Sequence, residues 1–409
     1  MEGGENTMDF KTIIARQAER HDSFYLYGER RILEDTERLK RNFPQVDFLY
    51  SIKCNPHPQV LRSVFRQGFG ADAASLGEVL LAQKAGLPKE QIYYSAPGKT
   101  SADIRGAMGK AVLIADSLGE LGLLDQLAGE AGLSVGVRVN PEFSFTGGPG
   151  LSSKFGVDED QLFRFLRESP PAHLRIAGIH VHLRSQELHA PALAAYYENM
   201  LALAERVRQV LGYELEYVNM GSGMGIQFSP EDSPLDVEAL GHAVTECLDA
   251  FRRAHPSTRL IIETGRYAVG KSGVYATKVL DRKVSRGVTY LILKNTLNGF
   301  ARPSVAYMVR RFSQEAAPAP WEPMFTCKDA FGILTLKDEP PCEKVSLVGN
   351  LCTATDIVAE GLSLPRLDRG DAVVFTNAGA YAAVMTPMQF ASLERPAELF
   401  LTAEGQIVE

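Results

Sequence analysis

The sequence lacks a cysteine pattern, a dense basic stretch and a long apolar run, and each absence removes a class of function. Its five cysteines, Cys54, Cys247, Cys327, Cys342 and Cys352, are scattered, odd in number and never spaced as CxxC. They supply neither a disulfide framework nor a zinc ligand set, and no metal is expected; they fit a chain kept reduced in a cytoplasm. The net charge of −7 comes without a concentrated run of lysine or arginine, so neither a nucleic acid nor a membrane surface is an expected partner. No apolar stretch approaches the roughly 20 residues that cross a bilayer as a helix. The opening residues, MEGGENTMDFKT, lack the basic-then-apolar order of a signal peptide, and they read as a frayed tail. There is no internal repeat and no low-complexity segment.

What is present is a strand-and-helix rhythm. With 409 residues, 45% hydrophobic and 23% charged, the chain is too long for one ordinary core, and two globular domains are expected. Short β-branched or aromatic runs lie at 47–53, 69–72, 91–95, 111–116, 134–139, 175–182, 214–220 and 259–263. Between them lie helix-period stretches such as 75–85, with Leu76, Val79 and Leu80 on one face, and the Ala/Leu-rich run 190–210. Eight such repeats suit an α/β chain built as a (β/α)8 TIM-type barrel, although an open doubly wound sheet alternates in the same way. After Arg266 the style changes to short strand-like runs at 273–279, 289–294, 344–348 and 372–376, separated by Pro- and Gly-containing connections. The expected division is an N-terminal tail and strand over 1–30 that joins the β domain, a barrel over 31–270, and a C-terminal β-rich domain over 271–409.

In a barrel the chemistry gathers at the C-terminal ends of the strands. Those ends carry Lys53, Asp72, Asp116, Arg138, His182, the turn Gly221-Ser222-Gly223, and Glu263. Singly, each is an ordinary loop residue; in a closed barrel their side chains converge. A lysine beside the apolar end Leu49-Tyr50-Ser51-Ile52 is placed for partial burial, which lowers its pKa and frees an amine for imine formation. The run Met220-Gly221-Ser222-Gly223-Met224-Gly225 offers bare backbone N–H groups suited to a phosphate. Many such turns are merely tight, but an amine and a phosphate nest together point to pyridoxal 5'-phosphate (PLP).

Six motifs then carry a resemblance. They are Tyr50-Ser51-Ile52-Lys53-Cys54-Asn55-Pro56, Gly70-Ala71-Asp72-Ala73-Ala74-Ser75-Leu76-Gly77-Glu78, and His180-Val181-His182-Leu183-Arg184-Ser185-Gln186. Further on come Glu263-Thr264-Gly265-Arg266-Tyr267, Leu351-Cys352-Thr353-Ala354-Thr355-Asp356 and Asn377-Ala378-Gly379-Ala380-Tyr381. In this order the sequence resembles the fold-type III PLP-dependent decarboxylases, the diaminopimelate, ornithine and arginine decarboxylase family with an alanine-racemase-like barrel, over residues 23–402. The resemblance implies the barrel rather than the open sheet. It implies Lys53 as the covalent anchor of the cofactor, His182 stacked on its ring, and Glu263 at the ring nitrogen. Ser185, the Gly221, Ser222 and Gly223 turn, the Gly265, Arg266 and Tyr267 backbone, and Tyr381 would hold the phosphate. Asp72 and Arg138 would support the lysine and ring. Cys352 would come from a partner subunit as the acid that protonates the carbanion, which makes the enzyme a homodimer with shared active sites.

The departures from the family bear on substrate. Thr353 replaces the acid that meets a distal ammonium, Lys294 stands where an acid is usual, and Arg184 where glycine is usual. Arg302-Pro303 resembles the diaminopimelate enzymes' carboxylate-binding pair, with the following tyrosine displaced to Tyr307. Two acids lost and two cations gained would repel a free distal ammonium and favour a distal carboxylate, with Arg302, Thr353, Lys294, Arg184 and Tyr381 as substrate contacts. The similarity extends to decarboxylases of carboxylate-bearing conjugates, such as citryl-diamino acids in siderophore assembly or carrier-bound glutamate. meso-Diaminopimelate decarboxylation, an amino-acid racemase on the same barrel, and a non-catalytic PLP-binding paralogue are the alternatives.

Overall fold

The computed structural model describes residues 4–221, 223–312 and 331–409. The chain divides into two compact units, one made of Leu33–Ile226 with Pro234–Ala268, the other of Met1–Ile32, Gln227–Ser233 and Val269–Glu409. The first strand, β1 (Ser23–Gly28), belongs to the second unit.

The first unit is the barrel. Its strands are β2 (Val46–Ser51), β3 (Gly70–Ala73), β4 (Ile92–Ser95), β5 (Val112–Ala115), β6 (Leu133–Asn140) with the short β7 (Val157–Asp158) beside it, β8 (Leu174–His180), β9 (Tyr217–Asn219) and β10 (Arg259–Thr264). They hydrogen-bond in the order β5-β4-β3-β2-β10-β9-β8-β6, and β6 pairs back to β5, Ile114 opposite Gly136, so the parallel sheet closes on itself. Helices between strands start where a side chain can take an orphan N–H: Ser75 accepts from Glu78, Ser117 from Glu120 and Asp236 from Ala239, while Thr100 and Asp103 form a reciprocal capping box. Leu49, Tyr93, Ile114, Ala177, Tyr217 and Ile261 fill the interior. Gly136 and Gly178 leave room for the Tyr217 ring: a Cβ on Gly178 would stand 2.6 Å from it, and one on Gly136 would strike its hydroxyl.

Several strands are shorter than the sequence pattern predicts. β2 stops at Ser51, so Lys53 sits in a single 3-10 turn, Ile52–Cys54, rather than on the strand. β8 stops at His180, and only Tyr217–Asn219 of the run 214–220 is strand.

The second unit holds β11 (Gly273–Ser285), β12 (Val288–Leu293), β13 (Ile333–Thr335), β14 (Glu343–Gly349), β15 (Ile357–Leu364), β16 (Ala372–Phe375), β17 (Ala397–Leu401) and β18 (Ile407–Val408). Their order is β15-β14-β12-β11-β1-β17-β18, with β16 paired to β11 and β13. The opening segment is not a frayed tail. Gly4–Arg20 is a helix whose Ile14 and Ala18 bury against Phe24, Leu26, Val274 and Leu399 of the sheet. The amphipathic spacing of Phe10, Ile13, Ile14 and Ala18 accounts for it. The β-rich unit also holds the helix Ala301–Phe312, which carries Arg302 and Pro303. Among the described residues no helix is long and apolar enough to cross a membrane.

Candidate active site

Closure of the barrel brings Lys53, Asp72, Arg138, His182 and Glu263 to one end of the sheet. Lys53 Nζ donates to Asp72 Oδ2 at 2.9 Å, and Ser51 Oγ donates to the same oxygen at 2.7 Å. The lysine side chain stays 44% accessible while Asp72 is buried. Burial presses against the lysine's charge, but Asp72 and Glu263 outweigh it and hold the pKa above the ordinary lysine value. The expectation of a desolvated, neutral amine is therefore corrected: two carboxylates keep it protonated.

Glu263, buried on β10, accepts from Asn219 Nδ2 at 2.9 Å on Oε1, and His180 Nε2 lies 3.1 Å from that same oxygen. His180 Nδ1 in turn lies 3.1 Å from Ser95 Oγ. Burial pushes the Glu263 carboxyl up, but His180, Lys53 and His182 more than offset this and keep it well below the usual carboxylate range. His182 is the opposite case. Desolvation leads, Arg138 and Lys53 add to it, Glu263 opposes it, and the imidazole falls to about 3, so the ring is neutral at any ordinary pH. Its Nε2 lies 3.1 Å from Ser185 Oγ. Arg138 Nη2 donates to the His182 carbonyl at 3.4 Å, its Nη1 lies 3.6 Å from Asp116 Oδ1, and its guanidinium stands over Phe155 at 4.3 Å.

The glycine turn is pressed against backbone. Gly221 has φ 64°, its N–H donates to Asn219 Oδ1 at 2.9 Å, and a Cβ there would strike the Val181 carbonyl. A Cβ on Gly223 would stand 2.8 Å from Leu193, and one on Gly265 would strike Cys54 Sγ. Ser222 lies outside the described residues. Arg266 and Tyr267, both buried, open the short helix Arg266–Val269. A protonatable amine, an ionised buried carboxylate, a neutral imidazole and two turns that each begin on glycine match the aldehyde, ring nitrogen, ring face and phosphate of PLP.

Sequence reasoning missed His180, Asn219, Ser95 and Ser51. The available signal was period-two alternation, which points His180 to the same side of its strand as His182. Arg184 lies 3.3 Å from Glu187 and over the Phe145 ring at 5.6 Å.

The candidates in the second unit are described by themselves. Cys352 is exposed on the connection between β14 and β15, and Thr353 Oγ1 lies 2.9 Å from Thr355 Oγ1. Asp356 anchors that connection, accepting from the Leu351 N–H and the Leu297 N–H, each at 3.0 Å. Lys294 follows β12; its charge reinforces the Lys278 hydrogen bond in lowering the Asp22 carboxyl. Arg302 is 1% exposed, donates through Nε to the Tyr381 carbonyl, and reaches the Met385 sulfur at 3.1 Å. Tyr307 donates to Glu360 Oε2 at 2.6 Å. Cys327 lies outside the described residues.

Residues 29–270 match the family described as pyridoxal-dependent decarboxylase, pyridoxal binding domain. This chain belongs to that family. The pyridoxal-dependent decarboxylase is 29% identical to the L-glutamyl-[BtrI acyl-carrier protein] decarboxylase of Niallia circulans, over 92% of this chain and 88% of that one. It is 30% identical to the diaminopimelate decarboxylase of Methanothermobacter thermautotrophicus, over 94% and 87%. In fold it matches the crystal structure of diaminopimelate decarboxylase from Helicobacter pylori complexed with L-lysine, with a TM-score of 0.78 and 24% identity over 94% of this chain and 92% of that one. The decarboxylase thus uses PLP, and its reaction class is that of a carboxy-lyase.

Proposed function

We propose that this decarboxylase removes the α-carboxylate of an amino acid whose distal end carries no free ammonium, an acyl- or amide-linked conjugate such as carrier-bound glutamate or a citryl-diamino acid of siderophore assembly. The observation that carries the reading is Thr353, a neutral side chain engaged with Thr355, at the position where an acid would meet a distal ammonium. The relative from Niallia circulans bears the name of an enzyme whose glutamyl group is held on a carrier. Two of the three cations weighed for a distal carboxylate have protein partners, Arg184 with Glu187 and Arg302 with the Tyr381 carbonyl; near Lys294, the Asp22 carboxylate is already paired with Lys278 at 2.9 Å. The reading therefore rests on the missing acid more than on gained cations. Diaminopimelate is the second reading, favoured by the 30% identity to the Methanothermobacter enzyme.

The cofactor, when bound, supplies the sink for the electron pair that departing CO2 leaves behind. The protein's residues do the rest. Glu263, held ionised, keeps a negative charge where a ring nitrogen would need its proton. His182, held neutral, would cover a ring face without adding a charge. Asp72 and Ser51 orient the Lys53 amine. The backbone at Gly223 and Gly265–Tyr267 would receive the phosphate, with Ser185 and Tyr381, while the Gly221 N–H, given to Asn219 Oδ1, shapes the turn. Cys352, from a partner subunit in a homodimer, would return the proton to the α-carbon.

The deciding experiment compares kcat/KM for diaminopimelate, lysine, ornithine and an amide-capped, carboxylate-bearing diamino acid, following CO2. Preference for the capped compound supports the reading; a free diamine preferred over it refutes the substrate class and leaves the reaction class standing.

A further inference from the structure

Two repeats of the barrel start a helix with the same device, a serine N-cap and a glutamate three residues on. Ser75 accepts from the Glu78 N–H, and Glu78 Oε2 takes the Ala74 N–H at 2.7 Å. Ser117 accepts from the Glu120 N–H at 3.1 Å, and Glu120 Oε2 takes the Asp116 N–H at 3.3 Å. Such a cap employs one carboxylate oxygen. In the second repeat the other oxygen, Glu120 Oε1, lies 2.5 Å from Lys99 Nζ, and the lysine and glutamate side chains are 1% and 5% exposed. The Lys99 ammonium also donates to the Ala96 carbonyl at 2.7 Å and to the Ile114 carbonyl at 2.8 Å, so its three protons are all engaged and the end of β4 is tied to β5. Burial leads on both partners, pushing the lysine down and the glutamate up from their ordinary values. A buried pair offsets its desolvation poorly, so stability alone gives little reason for one. The pair is continuous with the site. Asp116 Oδ2 accepts from the Gly156 N–H at 3.2 Å, and Asp116 Oδ1 lies 3.6 Å from Arg138 Nη1. Arg138 Nη2 then donates to the His182 carbonyl at 3.4 Å. Lys99, Glu120, Asp116 and Arg138 form a buried row of alternating charge that ends at the backbone of His182.

We propose that Lys99 and Glu120 are positioning residues, a buried pair that fixes Asp116 and, through it, aims the Arg138 guanidinium at the His182 carbonyl. The proposal rests on the reading above only in taking Arg138 as a support of the cofactor ring. At 3.6 Å the contact of Arg138 with Asp116 is an ion pair without a short hydrogen bond. The direction of the guanidinium therefore depends on where the carboxylate is held, not on a tight two-pronged fork. Two groups hold it. Glu120 fixes the Asp116 backbone, and the Gly156 N–H fixes the carboxylate. Gly156 cannot retreat: it sits at φ 80°, and a Cβ there would stand 2.8 Å from the Asn140 nitrogen. Glu120 is the adjustable member, because its position depends on Lys99. Without the lysine, Glu120 is a buried carboxylate stripped of its cation, and it must take up a proton or turn toward water. Either change weakens its hold on the Asp116 N–H, since a neutral acid is the poorer acceptor. Lys99 itself is sealed in the barrel wall, so its influence on the chemistry has to travel along the row.

Full-length wild type, Lys99→Met, Arg138→Met and the double variant make a mutant cycle. Each protein is read by PLP affinity from absorbance titration of the apoenzyme, by urea melts, and by kcat and KM on the best substrate of the panel above. The row predicts that Lys99→Met weakens PLP binding and lowers kcat by about tenfold each, the effect of one charge-assisted hydrogen bond, with KM unchanged. In the Arg138→Met background the same substitution should change both by less than about twofold, because the group it acts through has gone. A loss of stability in urea with PLP affinity and kcat at wild-type level would make the pair a purely structural element and overturns the proposal. An effect of full size in both backgrounds overturns it too. Arg138→Met with wild-type PLP affinity and kcat removes the cofactor role of Arg138, and the proposal falls with it. Should Lys99→Met fail to fold, Glu120→Gln takes its place in the cycle, keeping the side chain's shape while removing its charge. If no compound of the panel is turned over, the substrate reading fails by itself, and the PLP titrations complete the cycle.

Discussion

His180 Nε2 lies 3.1 Å from Glu263 Oε1, the oxygen that also accepts from Asn219. Strands β8 and β9 thereby each contribute one side chain to a single buried carboxylate carried by β10. Removing the carboxylate charge should cost more than removing either neighbour. Glu263→Gln is expected to lower kcat by about 100-fold or more, the range of one well-placed electrostatic group. His180→Ala and Asn219→Ala should each cost less and should raise the pH at which the bound cofactor's spectrum titrates, because each helps keep Glu263 ionised. Absorbance titrations of the three variants read this directly; a spectrum in Glu263→Gln identical to wild type at every pH would detach the carboxylate from the cofactor.

Stability should carry the mark of His182. Its folded pKa is lowered to about 3, while an unfolded histidine titrates near ~6.5. The stability linked to it is fully present above pH ~6.5 and is lost as pH falls toward 3, where the unfolded chain binds a proton that the folded one refuses. Within that window it contributes a slope of up to about 1.4 kcal/mol per pH unit. Urea melts of wild type and His182→Gln at several pH values between 4 and ~7 should show the variant's slope flatter by as much as one proton. Parallel slopes would mean that the imidazole is as solvated in the fold as out of it.

Lys53 is the amine in contact with Asp72, so Lys53→Ala should abolish the imine absorbance near ~420 nm expected of a PLP enzyme. Borohydride-reducible cofactor persisting in the variant would mean that a different lysine anchors it.

A shared site makes a statistical prediction. Lys53→Ala and Cys352→Ala should each be inactive, and mixing them with subunit exchange should restore about a quarter of wild-type activity, one intact site in each heterodimer. Proven exchange without recovery would place both residues in one subunit's site or remove Cys352 from the chemistry.

Charge selection at Thr353 can be reversed. Thr353→Glu should raise kcat/KM for diaminopimelate relative to an amide-capped, carboxylate-bearing analogue. An ammonium left without its acid in a closed pocket loses about 2–5 kcal/mol, some ~30-fold or more in specificity. An unchanged ratio between the two substrates would remove Thr353 from the distal subsite.

The strand count, the helix faces and the identities of Lys53, Asp72, His182 and Glu263 were legible in the sequence. Each rests on local information: period-two and period-3.6 patterning, capping residues, and short motifs whose neighbours in sequence are their neighbours in space. Local information cannot tell a closed sheet from an open one, because both alternate strand and helix. Only the pairing of β5 with β6 decides it, and that pairing depends on how the whole ring of strands twists and staggers. The opening segment was misread because its apolar face is unremarkable until a sheet exists to receive Ile14 and Ala18. Charge states were likewise beyond sequence. The residue types suggested a desolvated, neutral Lys53, but Asp72 and Glu263 reach it across the barrel mouth and keep its proton on. The direction of Arg302 was equally beyond sequence, because an arginine's type does not say what it faces. Tertiary packing turned it inward to the Tyr381 carbonyl, a residue far along the chain, and Coulomb and hydrogen-bond energies follow distance in space rather than distance in sequence.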